Sequence, residues 1–144
     1  MVDVIEHLHD PLIHLQQAYR LLKKGGLLVM ITPNVASLGH RLFHHDWMHL
    51  DPPRHLHIYA CRALAVLAEL AGLRVEKLFT SVRLAAYAIG HSIRIRRRGM
   101  SDFGVAPPPL IYAFSTECGI CGMGDARALA LTRRRDRAGR KKIG

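Results

Sequence analysis

The stretch from Asp10 to Pro33 constrains the fold more than any other part of this 144-residue chain. Asp10 suits a helix N-cap, and Pro11 suits the first helical position, where an amide would have no partner anyway. Leu12, Leu15, Tyr19 and Leu22 recur at helical spacing, with Ile13 and Leu21 widening the apolar stripe. Lys23 and Lys24 stand where the helix dipole favours cations, and Gly25-Gly26 supplies a left-handed stop. Leu27 to Ile31 follows at once, short and apolar on both faces, and Thr32-Pro33-Asn34 ends it. Such a run reads as a strand buried between two helix layers. A helix that leads straight into it predicts a parallel α/β sheet.

Further signals are weaker. Residues 35–58 read as irregular, because Asp51-Pro52-Pro53 forbids regular structure and no apolar period is present. They hold six histidines, His40, His44, His45, His49, His55 and His57. A second helix is expected from Cys61 to Ala71, with Leu64, Leu67, Ala68 and Ala71 as its stripe and Gly72 as its stop. Ala60 offers that helix no side-chain cap. Leu73 to Ser81 reads as a strand and Leu84 to Arg98 as a basic amphipathic helix interrupted by Gly90. Ala126 to Thr132 reads as a last strand, which places one domain over residues 1–132 and a basic, disordered tail over 133–144.

Composition limits the function classes. Apolar residues make up 49% of the chain, which suits a globular core. The net charge is +10, concentrated in Arg94, Arg96, Arg97 and Arg98 and in the run from Arg133 to Lys142. Charge of this kind supports an alternative, non-enzymatic reading as a basic module on nucleic acid or an anionic membrane. Charge runs are unspecific, however, and a solvated end is the expectation, with no specific nucleic-acid partner. No apolar run approaches the ~20 residues of a membrane span. Three cysteines make no disulfide framework, so a reduced, cytoplasmic protein is expected.

Three segments taken together resemble one family. They are Asp3-Val4-Ile5-Glu6-His7-Leu8-His9-Asp10-Pro11, then Leu21-Leu22-Lys23-Lys24-Gly25-Gly26 with the strand to Pro33-Asn34, then Pro53-Arg54-His55-Leu56 with the helix ending Ala71-Gly72-Leu73. Their order and spacing are similar to class I S-adenosylmethionine (SAM)-dependent methyltransferases of the group related to ubiquinone-biosynthesis O-methyltransferases. Gly122-Met123-Gly124-Asp125 fits that family's final hairpin. The resemblance implies a Rossmann-like sheet with strand order 3-2-1-4-5-7-6, of which strands five, six and seven with their helices are present. It implies methyl transfer from SAM to a small-molecule acceptor. The glycine-rich turn after strand one and the acidic residue after strand two, which hold the cofactor, lie in the N-terminal half and have no counterpart here. The 144 residues by themselves are therefore expected to be inactive and not to bind SAM. Strand five would lack strand four beside it, so an N-terminal half supplied separately, or self-association through the bare edge, is the expected partner.

The resemblance also points to residues. Val2 and Asp3 fall on the loop after strand four, which passes along the cofactor, and are the candidate SAM contacts. Related enzymes carry an acidic-x-x-Glu-His pattern associated with magnesium, which would fall on Asp3, Glu6 and His7. These three would share a face if the turn is helical. The plainer reading is a capping turn, and no metal is expected. His55 stands at the family's Pro-Arg-His position, where it orders the loop, and His55 or Trp47 is an alternative wall for the acceptor pocket. Gly119-x-x-Gly122-x-Gly124 lacks the preceding strand a phosphate-cradling loop requires, and Cys118-x-x-Cys121 lacks the second pair a zinc site requires. No catalytic base can be named from the sequence.

Overall fold

A computed structural model describes residues 1–81, 85–99 and the backbone of 127–134. Helix α1 spans Pro11–Leu21, and the Asp10 carboxylate caps it by accepting the amide of Ile13 at 3.1 Å. Replacing Asp10 with alanine removes that acceptor, and urea melts should find the variant weaker by about 1 kcal/mol. Leu15 is fully buried, whereas Ile13 and Leu21 are exposed, so the buried stripe of α1 is narrower than its sequence pattern. Gly25 takes φ +72° in the turn into strand β1, Leu27–Pro33.

Helix α3 spans Cys61–Leu70 and, as its sequence requires, has no side-chain cap at Ala60. Gly72, at φ +86°, turns the chain into strand β2, Leu73–Ser81. Leu15, Met30, Leu64, Ala68 and Leu73 are buried together with Ile5 in one core that joins α1, α3, β1 and β2. Helix α4, Ala85–Arg98, runs through Gly90 without interruption.

Residues 35–58 are more ordered than their sequence suggests. Ser37 caps a six-residue helix α2, Leu38–Phe43, by accepting the amide of His40 at 3.2 Å. Single 3-10 turns follow at His44–Asp46 and Met48–Leu50. An element of under two turns leaves too few positions for a period to be read. Helix α4 holds this segment in place. The Met48 amide donates to Ser92 Oγ at 3.1 Å, and Arg96 Nε donates to Asp46 at 2.9 Å with its guanidinium 4.9 Å from the Phe43 ring. One of the four clustered arginines is thus committed to packing rather than to an external anion.

The sheet has three strands in the order β1–β3–β2, with β3 spanning Arg127–Arg134. β3 is antiparallel to both neighbours, so β1 and β2 share a direction without touching. The expected parallel arrangement therefore holds between β1 and β2 only across an intervening reversed strand. β3 also runs two residues past Thr132, with Arg133 opposite Leu27 and Arg74. β1 is not enclosed on both faces among the described residues, since Leu27 and Val29 are exposed. Its outer edge is not bare either. Met1 O accepts from the Ile31 amide at 3.0 Å, the Asp3 amide donates to Ile31 O at 2.9 Å, and Val2 forms a parallel bridge to Ile31. The N-terminal ammonium reaches Val29 O at 2.8 Å. The glycine-rich segment at 119–124, the cysteines at 118 and 121 and the expected tail from residue 135 lie outside the described residues.

Candidate functional site

The carboxyl end of β1 gathers the chemistry of the chain. Ligands of open α/β sheets bind beyond the carboxyl ends of the strands, where loops diverge. Thr32, Pro33 and Asn34 emerge there, beside the N-terminal segment that pairs with Ile31. Val2 and Asp3 stand at this position, both exposed, and Asp3 has the left-handed φ of +49°. Aspartate tolerates that region better than most residues, but the conformation takes Asp3 out of the following turn.

That turn, Ile5–His7, buries Glu6 completely. Glu6 is held from two sides. Thr32 Oγ1 donates to its Oε2 at 3.0 Å, and its backbone carbonyl accepts the amides of Leu56 at 2.8 Å and His57 at 3.1 Å. Glu6, through its carboxylate on one side and its backbone carbonyl on the other, therefore fastens β1 to the loop that contains His55. Its other oxygen, Oε1, is buried with no hydrogen-bond partner.

Two histidines complete the cluster. His7 Nδ1 lies 2.8 Å from the carbonyl of Arg54, and His55 Nδ1 lies 2.6 Å from the carbonyl of His49. Their rings meet edge to face with centroids 4.8 Å apart. Glu6, His7 and His55 each present a potential ligand atom, all three within 4.8 Å of one another. The alternative that the resemblance raised beside a plain capping turn was Asp3, Glu6 and His7. Glu6 and His7 do come together, but the third member is His55, and Asp3, at φ +49° ahead of the turn, is not in the group. His55 was readable as a loop-ordering residue; its approach to His7 depends on a contact 48 positions away and leaves no local signal.

Tyr59 borders the same region. Its phenol oxygen is buried without a partner, and burial, followed by the nearby Glu6 carboxylate, pushes its pKa up to about 12. Its ring stands 5.9 Å from that of His57. Tyr59 and His57 also form one end of an open, mainly apolar groove of about 590 Å³, whose other walls are Pro11 and the outward residues Arg62, Val66 and Leu70 of α3. Trp47, the alternative pocket residue, is only 1% exposed and has the rings of His40 and His49 at 5.1 and 5.2 Å. It is a core residue of the 35–58 segment rather than a wall open to a ligand.

Comparisons with known proteins bear on the family and the fold. A family profile described as a methyltransferase domain matches residues 1–78. A solved SAM-dependent methyltransferase from Thermotoga maritima, proposed to act as a histamine N-methyltransferase, superposes with a TM-score of 0.59 at 20% identity, over 94% of this chain and 54% of its own. A protein from Galdieria sulphuraria, proposed to be a sarcosine dimethylglycine methyltransferase, gives 0.53 at 16% identity, over 94% and 51%. No curated protein matches the sequence. The chain thus spans about half the length of these solved relatives. Among the described residues no helix is long and apolar enough to cross a membrane. Over more than half of its length the sequence fits the methyltransferase-domain profile, its fold is that of SAM-dependent methyltransferases, and the chain belongs to the class I methyltransferase family.

Proposed function

We propose that these residues are the C-terminal half of a SAM-dependent methyltransferase acting on a small-molecule acceptor, and that β1, β2 and β3 correspond to strands five, six and seven of its sheet. The observation that carries this reading is the strand order β1–β3–β2 with β3 reversed, which is the 5-7-6 end of the family's sheet. On this reading Val2 and Asp3 would border the cofactor, and their pairing with Ile31 at the carboxyl end of β1 supports it. Along the edge of β1 away from β3, the N-terminal segment makes backbone contacts with Val29 and Ile31. Leu27 and Val29 leave one face of β1 apolar and exposed beside that edge. We assign as their partner the preceding half of the methyltransferase domain, with self-association as the substitute when that half is withheld.

In such a site the chain's contribution is positional. Methyl transfer requires the acceptor in line with the sulfonium methyl, and a fixed frame supplies that alignment. Glu6, clamped by Thr32 and the 56–57 amides, makes the loop at His55 part of that frame.

Calorimetric titration provides the test. The 144 residues alone are expected to give no saturable heat with SAM at micromolar concentrations, because the glycine-rich turn and ribose-binding acid are not in them. The same residues joined to, or mixed with, a preceding half carrying that turn are expected to bind SAM and to transfer its methyl group. Micromolar binding by the 144 residues alone would overturn the assignment and direct attention to Gly119–Gly124 instead.

A further inference from the structure

The cluster at Glu6 has a property that neither methyl transfer nor the fold requires. A fully buried carboxylate oxygen without a partner is costly, and more so when the group is charged. Thr32 satisfies only Oε2. The two imidazoles beside it are fixed in a particular way. A carbonyl oxygen can only accept, so Nδ1 of His7 and Nδ1 of His55 must each carry the proton that they share with Arg54 O and His49 O. In the neutral rings this leaves Nε2 with the free lone pair. Donating one ring nitrogen to a backbone carbonyl is the support by which proteins fix the tautomer and orientation of metal-ligating histidines.

We propose that Glu6, His7 and His55 bind a borderline divalent transition-metal ion, with Zn²⁺ as the type case. The donor set of two imidazoles and one carboxylate matches zinc sites that keep one coordination position open, and imidazole favours zinc, cobalt and nickel over magnesium. Magnesium prefers an oxygen octahedron, whereas this cluster offers one carboxylate and excludes Asp3. The magnesium set of the related ubiquinone-pathway enzymes therefore does not fit here. Ligand atoms around a tetrahedral zinc lie about 3.4 Å apart for bonds of about 2.1 Å. The present separations of up to 4.8 Å would shorten on binding through a small adjustment of the exposed His7 ring about its hydrogen bond to Arg54 O. The ion would sit between the buried carboxylate and solvent, on the face where the carboxyl end of β1 opens. The site is a property of these side chains and stands whether or not the methyl-transfer assignment holds.

Ten histidines make loose zinc binding certain somewhere on the chain, so the experiment must separate the native cluster from the rest. An ion bound only by the folded state raises the unfolding temperature, whereas one bound equally by the unfolded chain does not. Thermal melts of the 144-residue protein, paired with competition titrations, are run with Zn²⁺ and with Mg²⁺. Zinc is expected to raise the midpoint by several degrees and magnesium to leave it unchanged. His55→Ala and Glu6→Gln are each expected to abolish the zinc shift and weaken binding at least tenfold, while Asp3→Asn keeps both. Glu6→Gln preserves shape and the Thr32 contact, and its circular dichroism shows whether the fold survives. If it does not, His55→Ala alone decides. Magnesium shifting the midpoint as much as zinc, a zinc shift that survives His55→Ala, or a shift lost in Asp3→Asn would each overturn the proposal.

Discussion

Truncating Leu64 to alanine should lower the stability of the fold by about 3 kcal/mol, the largest loss expected of any single change in α3. Leu64 is fully buried in the core cluster that also holds Leu15, Met30 and Leu73. The removed atoms lose their burial, and the walls cannot collapse around the gap, because helices and strands on every side hold one another apart. At roughly 2–8 °C per kcal/mol for domains of this size, the midpoint of thermal unfolding should fall by about 10 °C. Val66, two residues on, on the opposite face of α3 and half exposed, serves as the control, and its alanine variant should stay within about 0.5 kcal/mol of the parent. Equal losses at the two positions would mean that α3 does not present the face described.

Tyr59 should impose an alkaline limit on the fold. In the unfolded chain its phenol ionises near 10, and in the folded protein only near about 12. Below pH 10 both states keep the proton and the group has no effect. Between pH 10 and about 12 the unfolded state binds fewer protons, so stability falls as pH rises, by about 2–3 kcal/mol in all. Tyr59→Phe removes this loss. Since the hydroxyl is buried without a partner, the substitution should also leave stability at pH 7 no lower than the parent's. Urea melts of the two proteins at pH 7 and pH 11.5 provide the comparison. Parallel decline of parent and variant would show that Tyr59 is not the titrating group.

The periodic parts of the sequence were legible because their physics is local. α1, β1, α3 and β2 are each bounded by a cap, a glycine or a proline, and each was readable within three residues of its limits. What the pattern concealed depended on neighbours. Ile13 and Leu21 belong to an apolar stripe by spacing, yet no described element covers them. Helix α2 is too short to show a period. The antiparallel sense of β3 is decided by its partners and is invisible in residues 127–134 themselves. At the candidate site, Glu6 and His7 are consecutive, so their proximity was readable. The presence of His55 rather than Asp3 beside them depends on a loop contact of long sequence separation, which has no sequence signature.

The central place of β3 sets the order in which the protein can assemble. β1 and β2 make no ladder with each other, and the strand that joins them begins 100 residues after β1 begins. At a synthesis rate of about 5–20 residues per second, β1 leaves the ribosome some 5–20 s before its inner neighbour exists. Throughout that interval the backbone groups of both strands that will face β3 must rely on water. Sheet closure then depends on contacts of long sequence separation, which pay their loop entropy before any ladder forms and so proceed slowly. The helical core of α1 and α3 can gather earlier, leaving a nascent chain with a packed side and an open slot. Translation stalled before residue 127 should accordingly yield a product that chaperones retain, whereas chains completed through Arg134 are released.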